Sequence, residues 1–133
     1  INNKMPLYRE RESGNFIQAT DKGIVEEERL LIEHLDCHSY FVSDHITNLL
    51  QEIEGRLPQD KGRMLAIIDR FQALSPEERA NFIIGRRVGI YTNIDDLSDL
   101  PKRQVVEQVT HRISQGGNQV DDKTISALME GFI

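Results

Sequence analysis

The residue types best suited to metal binding and nucleophilic chemistry are grouped in one stretch, where His34, Cys37, His38 and His45 follow one another. If a helix continued through this stretch, His34 and His38 would lie one turn apart, with Cys37 beside them. Asp44 or His45 could then complete the four ligands of a zinc ion. However, neighbouring residues on a helix point about 100° apart, so Cys37 and His38 would face different directions. We therefore expect no metal site, and interpret these residues as polar groups at a helix end.

Cys37 could instead act as a nucleophile, with His38 or His45 as the base that activates its thiol. Such catalysis also needs an oxyanion hole and a third group that orients the base, and no sequence pattern indicates either. The sequence therefore favours a buried, unreactive thiol. A single cysteine also excludes an internal disulfide, and it excludes an iron–sulfur cluster held by the cysteines of this chain alone.

Two adjacent arginines, Arg86 and Arg87, lie between Gly85 and Gly89 and could contact a small anion or an acidic partner. The segment lacks the lysine of a phosphate-binding loop and the glycine spacing of a dinucleotide-binding loop. It also follows a predicted helix rather than a strand. The alternative is a structural role at the C-terminus of that helix, where cations interact favourably with the helix dipole.

Composition limits the classes of function that this chain can have. Its 133 residues, of which 38% are hydrophobic and 29% are charged, suit one globular domain. The formal net charge of −6 disfavours binding to bulk nucleic acid, which normally requires a basic face. No apolar run approaches the roughly 18 residues that cross a bilayer, so we expect no membrane partner. With one cysteine and no signal-peptide pattern, we expect a cytoplasmic protein.

Apolar residues at helical spacing predict most of the fold. We expect an irregular N-terminal arm or linker over residues 1–19 and a helical domain over residues 20–133. Residues 38–43 fit either a strand or a helix. The predicted helices cover residues 21–35, 43–54, 58–74 and 76–87, a segment containing Val105 and Ile113, and a final segment after Asp121 or Asp122.

Several residues mark the expected ends of these helices. Thr20 is suited to cap the first helix, and Gly55 is suited to end the second. Ser75 and Glu78 have the spacing of a capping box, in which each side chain bonds the backbone of the other residue. Gly116 is expected to end the fifth helix. The predicted fold class is therefore all-α, a bundle of five to six short helices.

Short motifs also follow one another in a characteristic order. A helix rich in Glu and Leu precedes Ser43, Asp44 and His45, with Asn48 shortly after, and residues 57–61 then read Leu-Pro-Gln-Asp-Lys. In this order the motifs resemble the region that follows the catalytic core in bacterial radical S-adenosylmethionine proteins. These are the Fe–S oxidoreductases of the elongator-protein-3-like group, and the resemblance covers roughly half of the chain.

The resemblance implies a C-terminal accessory domain, and the start at Ile1 leads us to expect a piece of a longer protein. The [4Fe–4S] cluster and S-adenosylmethionine would belong to an upstream catalytic barrel, since this chain lacks the three-cysteine loop. The accessory domain would close or shape the barrel mouth. Ser43, Asp44, His45 and Asn48 would face the barrel, a substrate or a partner. The alternative for the Ser-Asp pair is simple helix capping.

Two other functions fit the sequence. One is a free-standing helical module that binds another protein through an apolar groove and has no enzymatic activity. The other is a small thiol or metal enzyme built on Cys37, His38 and His45. The sequence upstream of Ile1 would distinguish them from an accessory domain, because a three-cysteine loop there would identify the radical class.

Overall fold

A computed structural model describes residues 6–17, 19–44 and 48–115 of the protein. Over these residues the chain is mostly helical, with one small antiparallel sheet. The predicted all-α class therefore holds for most of this part of the chain but omits the sheet. In chain order the elements are α1 (Pro6–Glu12), α2 (Asp21–His34), β1 (Ser39–Val42), β2 (Glu54–Leu57), α3 (Lys61–Ala73), α4 (Pro76–Arg87), a 3₁₀ helix (Ile94–Ser98) and α5 (Leu100–Gln115).

Helices α2 and α4 begin at the capping residues that the sequence predicts. Thr20 Oγ1 accepts a hydrogen bond from the amide of Gly23 at 3.1 Å. At the start of α4, the Glu78 amide donates to Ser75 Oγ at 3.2 Å, and the Glu78 carboxylate accepts from the Ser75 amide at 3.2 Å. These two bonds form the predicted capping box, which satisfies two amide groups that have no partner within the helix.

Strands β1 and β2 form the antiparallel pair, with Phe41 opposite Gly55. Residues 38–43 therefore contain a strand, as their aromatic and β-branched side chains favour. Gly55 lies within β2 rather than after a helix. A Cβ at this position would lie 2.6 Å from Cβ of Asp60, so the close approach of β2 to the start of α3 requires glycine.

Over the described residues 43–44 and 48–54, the prediction of a helix is wrong, because none of them is helical. The spacing that suggested it comes largely from Leu49, Leu50 and Ile53, which are buried. These three residues lie in a segment of turns and irregular backbone that leads into β2. Burial alone explains why they are apolar, because a segment that crosses the core needs hydrophobic side chains whatever its backbone conformation.

Two further boundaries differ from the prediction. Helix α1 lies in the arm that was predicted to be irregular. Helix α3 begins at Lys61 rather than Pro58, because β2 extends to Leu57 and a turn follows it. In that turn the amide of Asp60 donates to the carbonyl of Arg56 at 2.7 Å. The proline is therefore a turn residue, and not the first residue of the helix.

The C-terminal part of the predicted bundle is described only as far as α5. This helix covers the segment that contains Val105 and Ile113, as predicted. A 3₁₀ helix precedes it in the connection that was expected to be polar and irregular. The predicted stop at Gly116 and the final helix after Asp121 or Asp122 lie outside the described residues.

The core lies between α2, α3, α4, α5 and the segments that follow β1 and α4. The ring of Phe82 has its centroid 5.9 Å from that of Phe71 and 6.1 Å from that of Tyr91, so three aromatic side chains form its centre. Tyr91 lies directly against the backbone of α4, where a Cβ on Gly85 would be 2.1 Å from its Cδ2 atom. The other buried hydrophobic residues include Val25, Ile32, Leu49, Leu50, Ile53, Leu57, Met64, Ile68, Ile84 and Val106.

Candidate functional site

Ser43 and Asn48, two of the four residues predicted to face a barrel, are joined by a hydrogen bond. Asn48 Nδ2 donates to Ser43 Oγ at 2.9 Å, and Ser43 Oγ donates to Glu28 Oε1 at 2.7 Å. Ser43 is only 2% exposed, so its hydroxyl bonds within the fold rather than at the surface. We call these three residues the Glu28 cluster. It connects the middle of α2 to the segment that follows β1.

Glu28 is the member of this cluster that sequence reasoning missed. Burial raises the pKa of its carboxyl, and the hydrogen bond from Ser43 offsets only part of that effect. Its second oxygen, Oε2, is buried and has no hydrogen-bond partner among the described residues. The sequence does contain a signal, because Glu28 lies one helical turn from both Val25 and Ile32, which are buried. A carboxylate on the apolar face of an amphipathic helix is unusual enough to single out.

Asp44 directly follows the anchored Ser43, and its side chain is exposed. His45 lies outside the described residues, so its predicted role stays a prediction. Of the predicted set, the structure therefore brings Ser43 and Asn48 together inside the fold. It leaves the carboxylate of Asp44 accessible beside them.

Arg86, one of the two predicted anion contacts, binds backbone carbonyl groups. Its Nε donates to the carbonyl of Leu49 at 2.9 Å, and its Nη1 donates to the carbonyl of Tyr91 at 2.9 Å. Burial lowers the pKa of its guanidinium, and the nearby carboxylate of Glu52 acts in the opposite direction. These contacts hold two irregular segments against the C-terminal part of α4.

Arg87, the second predicted anion contact, pairs with Asp21 at the start of α2. Both side chains are only 6% exposed, so the ion pair is buried. The arginine lies at the last residue of α4, as expected for a cation near the negative end of a helix. Contact of Arg86 or Arg87 with an external anion stays a prediction, while the contacts described here are internal for both.

The cysteine and the histidines near the end of α2 lie at the surface. Cys37 is exposed, so the predicted burial of its thiol is wrong. It belongs to the short connection between α2 and β1, which passes over the surface. His34 Nδ1 lies 2.9 Å from the carbonyl of Leu30, one turn earlier in the helix. In the part of the chain that the structure describes, no group of three His, Cys, Asp or Glu residues could hold a metal ion.

The outward face of the sheet carries a polar cluster that the sequence did not reveal. Tyr40 of β1 donates a hydrogen bond to Glu54 of β2, and this bond raises the pKa of the tyrosine hydroxyl. Arg63 of α3 donates to the backbone carbonyl of Glu54. Together with Arg56 and Asp60, these residues line an open depression of about 390 Å³. They come from β1, β2, the turn after β2 and α3, and the sequence analysis predicted neither β2 nor this grouping.

None of the protein-family models, curated proteins and solved structures compared with this chain matches it. Among residues 6–17, 19–44 and 48–115, no helix has the length and apolar character that crossing a membrane requires.

Proposed function

We propose that this chain is the C-terminal accessory domain of a bacterial radical S-adenosylmethionine Fe–S oxidoreductase. It closes or shapes the mouth of an upstream catalytic barrel and contributes to contact with a substrate or partner. The proposal rests on the order of the motifs, from the Glu- and Leu-rich α2 through Ser43 and Asp44 to residues 57–61. A cytoplasmic location is part of the same proposal, because a chain with a single cysteine suits a reducing compartment.

One observation on the described residues supports it: the separate motifs contact one another. Ser43 bonds Glu28 in the middle of α2. Lys61, at the end of the Leu-Pro-Gln-Asp-Lys motif, donates from Nζ to the carbonyl of Leu35 at 3.1 Å, just after the end of α2. The motifs that carry the resemblance therefore lie together in one structural unit, as expected if they act together.

The residues of this chain do not fit the cluster itself. A [4Fe–4S] cluster is held by cysteine thiolates, and Cys37 is the only cysteine in the sequence. In this proposal the cluster and S-adenosylmethionine are therefore bound upstream. The accessory domain contributes surfaces that enclose or orient, as proteins do around a cofactor that carries the chemistry.

The test compares three proteins: the full-length protein, the full-length protein without this domain, and this chain alone. Each is reconstituted anaerobically with iron and sulfide, then given reductant and S-adenosylmethionine. We expect the first two to assemble the cluster, the full-length protein to release more 5′-deoxyadenosine than the truncated one, and the isolated chain to do neither. Near-stoichiometric cluster absorbance in the isolated chain would contradict the proposal. A reading frame without an upstream three-cysteine loop would contradict it as well.

The second candidate is a free-standing protein-interaction module without enzymatic activity. It is favoured by Tyr40 and Val42, which are 55% and 46% exposed on the outward face of the sheet. Large apolar side chains at the surface are frequent in binding sites. A complete reading frame that encodes only this domain, together with saturable binding that is lost on changing Val42→Lys, would favour this candidate over the accessory domain.

A further inference from the structure

The Glu28 cluster fixes the chain at two described positions, Ser43 and Asn48. Ser43 is bonded to Glu28, and Asn48 is bonded to Ser43, so the two residues are held together against α2. Ser43 directly follows the last residue of β1, and Asn48 directly precedes Leu49, which is buried in the core. The backbone on each side of the anchor is therefore fixed by the fold.

Stability alone does not explain a carboxylate at this place. Glu28 lies on the face of α2 that also carries the buried residues Val25 and Ile32. An apolar side chain at this position would avoid the free-energy cost of removing a carboxylate from water. One of the Glu28 oxygens is buried and has no hydrogen-bond partner among the described residues, which normally lowers stability. A buried polar group of this kind is better explained if it specifies one local conformation.

We propose that Glu28 is a positioning residue, which fixes Ser43 and Asn48 so that the exposed carboxylate of Asp44 is presented in one orientation to the catalytic domain. The identity of that partner rests on the proposed function. The positioning itself depends only on contacts within this chain. Ser43 and Asn48 then act inside the fold, and Asp44 is the residue that makes the contact.

Hydrogen–deuterium exchange on this chain tests the positioning. In Glu28→Ala, we expect exchange in peptides that contain Asp44 and Asn48 to be about tenfold faster, as for the loss of one hydrogen bond to a charged group. Glu28→Gln keeps an oxygen that can accept from Ser43, so it should retain most of the protection. Glu27→Ala is the matched control, because Glu27 is the adjacent, exposed residue of the same helix.

Unchanged exchange in Glu28→Ala would overturn the positioning role. Equal acceleration over the whole chain would also overturn it, because Glu28 would then act on global stability. Loss of protection in Glu28→Gln that matches the alanine variant would exclude the hydrogen bond as the cause.

Assays in the full-length protein test the contact. We expect Asp44→Ala and Glu28→Ala to lower 5′-deoxyadenosine release severalfold with the cluster intact, and Glu28→Gln to restore it. If hydrogen–deuterium exchange changes as expected but 5′-deoxyadenosine release does not, the proposed contact of Asp44 with the catalytic domain is wrong. The positioning role of Glu28 would still hold. If the full-length protein forms no cluster, the proposed function itself fails, whatever the exchange results.

Discussion

The carboxylate of Asp21, the first residue of α2, pairs with the guanidinium of Arg87, the last residue of α4. The pair joins the N-terminus of one helix to the C-terminus of another, so each charge also lies at the favourable end of its helix dipole. Because both side chains are buried, neither charge can be fully rehydrated if the other is removed.

Removing one partner of this pair should therefore lower the stability of the fold markedly. We predict that Asp21→Ala lowers the free energy of unfolding by about 3 kcal/mol or more. A double change to apolar residues, Asp21→Leu with Arg87→Met, should cost clearly less than the single change. Urea denaturation followed by circular dichroism measures both. Lys22→Ala, which removes only an exposed pair with Glu26, is the control and should change stability by less than about 1 kcal/mol.

Gly85 and Gly62 should respond in opposite directions to the same substitution. A Cβ on Gly85 would lie 2.1 Å from the buried ring of Tyr91, so we predict that Gly85→Ala lowers stability by about 2 kcal/mol or more. Gly62 lies in α3, and apart from its chain neighbours and the backbone of that helix no atom lies within 4 Å of its Cβ position, so Gly62→Ala should add up to about 1 kcal/mol of stability. Scanning calorimetry would show one Tm falling and the other rising. A raised Tm for Gly85→Ala would show that Tyr91 does not lie against α4.

The capping box at the start of α4 should contribute measurably to the stability of the fold. Ser75→Ala should lower the free energy of unfolding by about 1 kcal/mol, because the amide of Glu78 loses its acceptor. Ser75→Thr keeps a hydroxyl that can accept from the Glu78 amide and donate to the Glu78 carboxylate, so it should retain most of the stability. Thermal denaturation of the two variants in parallel makes the comparison. Equal losses in both would mean that the side-chain acceptor is not what stabilises this helix start.

Asp96 should make stability depend on pH under acidic conditions. Burial alone would raise the pKa of its carboxyl, but hydrogen bonds from Lys102, Thr92 and Asn93 hold it well below its ordinary value of 3.8. A pKa lowered by folding gives stability that is present above the unfolded value and is lost as the pH falls towards the folded value. Asp96→Asn should therefore cost about 1 kcal/mol at pH 7 and weaken the decline in stability below about pH 4.

Denaturant titrations at several pH values between neutral and strongly acidic conditions would measure this dependence. Asp95→Asn is the matched control, because Asp95 is adjacent and exposed and pairs with Arg70 at the surface. Because this pair is exposed, its variant should change stability by less than about 1 kcal/mol. An identical acid slope in the wild type and Asp96→Asn would contradict the assignment to Asp96.

Local signals predicted the parts of the fold in which one short segment determines its own conformation. The capping box of Ser75 and Glu78 needs only residues within one turn, and α4 has the predicted bounds. The segment with Leu49, Leu50 and Ile53 is different, because its conformation depends on distant partners. Arg86 binds the carbonyl of Leu49 in this segment. No pattern within residues 43–54 contains that information.

The candidate site was predictable only in part for the same reason. Ser43 and Asn48 were chosen from a motif, and the structure brings them together. Glu28, which completes their cluster, lies far from them in sequence and is one of several glutamates in its helix. Its position on the buried face of α2 was the available signal. The contact between Tyr40 and Glu54 depends on the register of β1 and β2. That register was not predictable once the apolar spacing had been interpreted as a helix that includes Glu54.

Arg86 has a consequence for the order in which the chain can unfold. Its guanidinium binds the segment before β2 and the segment after α4 at once, and the Ile94 amide bonds Glu52 between the same two regions. Described residues 48–53 and 88–93 lie in turns and irregular backbone rather than in a helix or a strand. The two should therefore open together as one cooperative unit, so that their amide protons report a common free energy of opening, although helices α3 and α4 separate them in the chain.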